Sequence, residues 1–113
     1  MKKFEIIIPH RKLDDVSEIL KSANTGGMSH YTVEGRGKVK AQEVAVGRGT
    51  MKYTSEYVLR TKVEVIVKDD QVEPLISKLV KRLGGDALGG KIFVTDVHVA
   101  IDLSTNKRGE SAI

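Results

Sequence analysis

The stretch KVEVIVKDDQVEPLISKLVKRLGG, residues 62–85, contains the change of period that decides the fold. Val63, Val65 and Val67 alternate with Lys62, Glu64 and Ile66, the period of two expected of a strand with one buried face. Strand character begins at Val58. After Asp69-Asp70 the period lengthens, and Val72, Ile76, Leu79, Val80 and Leu83 fall on one helical stripe. Asp70 and Glu73 have capping-box spacing, with Asp in place of the usual Ser or Thr. Pro74 lies in the first turn, where its missing N–H costs little. Gly84-Gly85 stops the helix.

The same two periods organise the flanks. Phe4–Ile8 is a short apolar run closed by Pro9 and predicts a buried strand. Leu13, Val16, Leu20 and Ala23 recur at helical spacing, with Asp14 and Asp15 in the favourable first turn. Asn24-Thr25-Gly26-Gly27 ends that helix. Tyr31 and Val33 mark a second strand reaching Gly35. Gly89-Gly90-Lys91 leads into an apolar strand, Ile92–Ile101, with a break near Asp96, and Asp102–Ile113 is polar and irregular. Between Gly35 and about Thr54 neither period persists, and Gly-Arg-Gly occurs at 35–37 and again at 47–49. A loop of that length in a compact domain is either a flexible hairpin tip or, the favoured reading, an arm that touches a ligand or partner.

The order strand, helix, strand, loop, strand, helix, strand fits an α+β, ferredoxin-like βαββαβ unit: one antiparallel sheet with two helices on one face. Its length of 113 residues suits a single domain, 1–113. Aromatics are only 4% and Trp is absent, so such a small core is expected to gain from association with further copies, which would cover the second sheet face.

Composition excludes several classes. Without cysteine there are no disulfides, thiolate metal sites or cysteine nucleophiles. No apolar run approaches membrane-spanning length, and the N-terminal residues carry no secretory pattern, so a cytoplasmic location is expected. His10, His30 and His98 lack metal-ligand spacing, His98 reads as an exposed strand residue, and no base neighbours a Ser or Thr nucleophile. An enzyme is not expected. The net charge of +4 resides in residues 34–62, where seven basic residues face three acidic ones. The alternative class is therefore a nucleic-acid-binding ferredoxin-like module using this basic loop. No aromatic pair on the strands has the RNA-binding pattern, which makes nucleic acid the lesser reading. Gly84–Lys91 is a candidate anion loop, since consecutive glycines let backbone N–H groups approach an anion beside a lysine. It is not a Walker A loop, because Lys91 opens a strand and precedes Ile92.

Several blocks, in order over nearly the whole chain, resemble the PII signal-transduction proteins. They are Met1–Ile8, Lys12–Val16, Gly27-Met28, Val33–Gly37, Lys62–Val67, Gly90–Val94 and Ala112-Ile113. The resemblance implies a homotrimer whose subunit clefts bind adenine nucleotides (ADP, AMP or ATP) and whose T-loop docks on a target protein, such as a membrane transporter. By similarity the T-loop is about 36–57, the B-loop about 84–91 and the C-loop about 102–110. The implied nucleotide-binding residues are Gly35, Gly37, Lys38, Glu64, Gly89, Gly90 and Lys91, with Gly27 and Met28 from the neighbouring subunit. Arg36, Lys40, Arg60, Lys107 and Arg108 are candidate phosphate or anion contacts.

The departures from the family pattern change the expected ligand. Val39 stands where the family has a glutamine that ligates magnesium and helps bind 2-oxoglutarate. Leu88 replaces a B-loop glycine, and Gly89 replaces the acidic residue beside it. Asp102 and Ser104 replace two phosphate-clamping arginines, which should weaken a triphosphate most. The T-loop is about two residues longer than usual in the family, and the altered surroundings of Tyr53 argue against its modification. The expectation is a divergent PII-like regulator preferring ADP or AMP over magnesium-ATP, with a small anion such as bicarbonate as a further effector.

Overall fold

The computed structural model describes residues 1–37, 57–85, 87 and 89–113 in full, and residues 43–46 and 51–54 in backbone only. The elements are β1 (Lys2–Ile8), α1 (Leu13–Ser22), β2 (Met28–Gly35), β3 (Glu43–Val46), β4 (Met51–Thr54), β5 (Val58–Val67), α2 (Val72–Leu83) and β6 (Lys91–Asp96). β2, β5, β1 and β6 form one antiparallel sheet in that order, so β2 and β6 are its edges. This is the ferredoxin-like α+β arrangement expected from the order of periods.

Alternation decides which face is buried. Phe4, Ile6 and Ile8 of β1 and Val63, Val65 and Val67 of β5 point to one side. There they meet Val16, Ile19 and Leu20 of α1 and Leu75 and Leu79 of α2. Each such side chain contributes about 1.5–3 kcal/mol on burial, so this shared core holds the helical layer to the sheet. Thr61 is the exception on the buried face: it is 2% exposed, and its hydroxyl lies 2.9 Å from His10 Nδ1. Exposed Arg82 of α2 ties the helices together from outside, donating at 2.8 Å to both Asp15 and Glu18 of α1.

The other face of the sheet is not uncovered apolar surface. Register places Lys3, Glu5 and Ile7 beside Lys62, Glu64 and Ile66. Lys62 Nζ lies 3.3 Å from Glu5, and Lys3 Nζ lies 3.4 Å from Glu64. Tyr31 donates its hydroxyl to Glu64 at 3.1 Å, and Phe93 completes the face at 47% exposure.

Four expectations need correction. The segment without a period contains a hairpin, β3 paired with β4. The apolar strand expected over 92–101 breaks at Asp96, where the break was expected, but does not resume as a strand after it. Val97 N still bonds Met1 O at 3.1 Å, and beyond it only an isolated bridge, Ile101 to Arg108, remains. The capping box at Asp70 and Glu73 is not formed. A 3-10 turn, Asp69–Gln71, precedes α2 instead, and Gln71 Oε1 accepts the Lys68 N–H at 2.9 Å. The irregular C-terminal segment ends in a 3-10 turn, Gly109–Ala112.

Candidate functional site

The glycine turn after α2 is shaped by its backbone. Gly84 N caps the helix by donating to Val80 O at 2.8 Å, and a Cβ on Gly84 would stand 2.5 Å from that same oxygen. Gly85 and Gly89 adopt φ of 82° and 75°, the left-handed region that favours glycine. A Cβ on Gly90 would lie 2.9 Å from Ile7 O, so close approach to β1 already requires glycine there. Lys91 then opens β6 opposite Ile7, exposed and on the same face of the sheet as Ile7, away from the buried core.

This turn closes one end of a cavity of about 420 Å³ between α2 and the inner face of β1 and β6. Ile6, Ile8, Ile76, Leu79, Leu83 and Ile92 form most of its wall, and Lys12 and Lys91 also line it. Residues 86 and 88, which include the expected family difference at Leu88, lie outside the described residues.

The remaining candidates divide by position. Gly35 ends β2, and Arg36 and Gly37 follow it, at the same end of the sheet as Lys91 but on the opposite edge. Arg60 pairs with Val33 nearby and donates to Leu59 O at 3.2 Å. Lys38, Val39 and Lys40 lie outside the described residues, as does the side chain of Tyr53. Glu64 sits mid-sheet on the charged face, within reach of Lys3 and Tyr31.

Gly27 and Met28 are elsewhere. Lys91 pairs with Ile7, Ile7 with Lys62 and Lys62 with Tyr31, three strand steps across, and Met28 is three residues further along β2. That is about 14 Å across and about 10 Å along the sheet. Lys107 and Arg108 share the far end, since the chain leaves β6 beside Met1 and returns to place Ile113 3.4 Å from a Cβ built on Gly26. One chain therefore does not bring its candidate residues together.

The segment after Ile101 is a closed turn rather than an open cationic loop. Asp102 accepts the Ser104 hydroxyl at 2.6 Å, the Ser104 N–H at 2.8 Å and the Thr105 N–H at 3.2 Å. Lys107 O accepts Asp102 N–H at 2.9 Å, and Asn106 takes φ 64° to complete the reversal. These donors, the serine hydroxyl foremost, hold the Asp102 carboxyl below the usual aspartate range. On the sheet face, Lys62 does the same for Glu5, with Lys3 adding to it. Glu5 in return raises Lys62, and Glu64 raises Lys3.

Among the described residues no group of three or more His, Asp or Glu is placed to hold a metal ion, and no helix is long and apolar enough to cross a membrane. His98 is exposed, as expected, but lies after β6 rather than in a strand. The cavity and Lys12 escaped the sequence reading, because a void between a helix and an edge strand has no periodic signature. The Asp102 turn had one: Asp with Ser and Thr two and three residues on is an Asx-turn pattern.

Fold and site together define a small α+β domain with a two-stranded hairpin between β2 and β5 and an apolar pocket closed at one end by a glycine turn. The family model described as Nitrogen regulatory protein P-II matches residues 1–107, and the chain belongs to that family. It is 38% identical over 114 aligned residues to Nitrogen regulatory protein P-II of Cereibacter sphaeroides, covering all of both chains. The corresponding protein of Pasteurella multocida is 37% identical, and Nitrogen regulatory protein P-II 1 of Escherichia coli K12 34%, again with full coverage of both chains.

Proposed function

We propose that this chain is a signalling regulator that senses adenine nucleotides, favouring ADP or AMP over magnesium-ATP with 2-oxoglutarate, and acts on a target protein through its arm. The observation that carries the nucleotide preference is the Asp102 carboxylate engaged by Ser104 and Thr105. The family resemblance puts phosphate-clamping arginines at 102 and 104. Here those positions offer one negative charge and one hydroxyl already spent on each other. A nucleotide with fewer phosphates loses least by that exchange. Lys91 and the Gly90 amide remain as the cationic side of the site, with Lys107 and Arg108 as partial replacements for the clamp. Arg36, Lys38, Lys40 and Arg60 mark the arm base as the place for a small anion such as bicarbonate.

The separation of Gly89–Lys91 from Gly27, Met28 and the 102–108 turn supports a site built from two copies, the first group from one and the second from the next. A closed homotrimer is the assembly proposed, and light scattering should give three times the 12.4 kDa subunit mass. A membrane transporter is the proposed target, since the arm's excess positive charge suits an acidic docking surface. Calorimetric titration with ATP, ADP and AMP, each with and without magnesium, 2-oxoglutarate and bicarbonate, tests the reading. ADP or AMP should bind more tightly than magnesium-ATP. Tight magnesium-ATP binding that recruits 2-oxoglutarate would refute it, as would a monomeric mass.

A further inference from the structure

The end of the sheet where β1 stops and β5 begins differs in charge from the other end. Alternation along β5 carries the helix-facing side outward from Val63 through Thr61 to Leu59. The helical layer stops short of Leu59, which stays 62% exposed opposite Glu34. Tyr57, just before the strand, is 55% exposed. The basic 3-10 turn His10–Lys12 lies on the same side, since His10 Nδ1 meets the Thr61 hydroxyl two residues along from Leu59. Arg36 follows β2 beside them, where Gly35 pairs with Val58. Among the described residues around this rim, Arg11, Lys12, Arg36, Arg60 and Lys91 stand against Glu34. Lys81 and Arg82 at the end of α2 offset Asp14 and Asp15 at the start of α1. At the far end Asp69, Asp70, Glu73 and Asp96 balance the Met1 ammonium, Lys2, Lys21 and Lys68, and Asp102 and Glu110 balance Lys107 and Arg108. The domain is therefore electrically polar along its strands, and its positive end carries exposed apolar and aromatic side chains.

We propose that this end of the sheet docks on an anionic lipid surface, with Leu59 and Tyr57 at headgroup depth and Arg11, Lys12 and Arg36 against the lipid phosphates. An anionic leaflet attracts each Lys or Arg that comes near it. Aliphatic and tyrosine side chains beside such cations settle at the boundary between water and acyl chains. The contact is peripheral, made by side chains at the rim while the sheet stays in water. Nucleic acid would satisfy the cations, but its phosphate backbone offers nothing apolar to Leu59. A second copy would bring the same positive end, and two such ends repel. The inference goes beyond the nucleotide and transporter readings and rests on neither. Leu59, Tyr57, Arg11 and Lys12 have no part in the nucleotide site.

Flotation of the full chain with phosphatidylcholine vesicles, with and without phosphatidylglycerol, tests this at low and physiological salt. Binding should require phosphatidylglycerol and fall as salt rises. Arg11→Gln combined with Lys12→Gln should weaken it roughly twentyfold, about fivefold per charge. Leu59→Ser should weaken it about tenfold. Leu59→Ile keeps the apolar surface, and Lys21→Gln removes a charge at the far end, so each should stay within about twofold of the parent. Melting curves check that every variant is folded. No binding to phosphatidylglycerol vesicles overturns the proposal, as does equal binding to phosphatidylcholine alone. Unchanged affinity in Leu59→Ser overturns it, and so does a loss in Lys21→Gln as large as in the rim variants, since binding would then follow net charge. Duplex DNA is the competing arm. If it displaces the vesicles, and its own affinity falls in the double variant but not in Leu59→Ser, the surface belongs to nucleic acid and the proposal fails. ADP titrated into the same variants should bind as it does to the parent. Vesicle binding without ADP binding would refute only the nucleotide reading, and ADP binding without vesicle binding only this one.

Discussion

Replacing Gly90 by alanine tests whether the glycine turn is built for its ligand or for the sheet. The added Cβ would stand 2.9 Å from Ile7 O, a backbone atom held by two neighbouring strands. Ordinary contact begins near 3.4 Å, so β6 must withdraw by about half an ångström at the register pair Ile7–Lys91 or the turn must reshape. Overpacking of this kind costs about 1–3 kcal/mol. β6 is an edge strand with one free side, which places the cost toward the lower half of that range. For a domain near 100 residues each kcal/mol moves the midpoint by roughly 4–8 °C, so Gly90→Ala should melt about 5–15 °C below the parent. Circular dichroism melting at fixed protein concentration measures this. Gly37→Ala is the control, since a Cβ there meets nothing within 4 Å and should leave the midpoint unchanged. A Gly90→Ala midpoint within a degree of the parent, with the control also silent, would refute the argument that close packing requires this glycine.

Phe4→Ala empties the centre of the shared core, where Phe4 is fully buried, and should cost about 3–5 kcal/mol in urea unfolding. A loss below about 1 kcal/mol would mean the core is not packed as described. Glu5 is held below the ordinary glutamate range by Lys62 and then Lys3. Its contribution is full above the unfolded-state value near 4.3 and is lost as pH falls through the lower folded value. Glu5→Gln should therefore flatten the acid limb of urea midpoints measured between pH 2.5 and 7 (roughly the span over which a carboxylate titrates). An unchanged limb would deny the ion pairs. Asp102→Ala should expose the Ser104 and Thr105 amides, seen as faster hydrogen exchange confined to residues 102–108. Slow exchange retained in the variant would count against the turn.

What the sequence disclosed depended on whether a residue's neighbours lie along the chain or across it. Val63, Val65 and Val67 announce their buried face by alternation, and the α2 stripe announces its own, so sheet and helices were legible. The end of β6 was legible only in part. Val97, Val99 and Ile101 continue an apolar alternation, yet after the Val97 bond to Met1 O only the isolated bridge from Ile101 to Arg108 remains. A hairpin tip was one reading of the segment after β2, but its strands could not be placed, because they are four residues each and glycines interrupt the pattern. For the site, the glycine turn could be read directly, whereas Gly90's constraint comes from Ile7, distant in sequence.

The placement of candidate residues at opposite ends of one sheet has a consequence for mixed populations. A chain disabled at Lys91 keeps an intact Gly27–Met28 end, and a chain disabled at that end keeps its lysine. In the proposed ring, built of both kinds, the pocket where two unaltered ends meet would be whole, so two separately inactive alleles should complement each other when expressed in one cell.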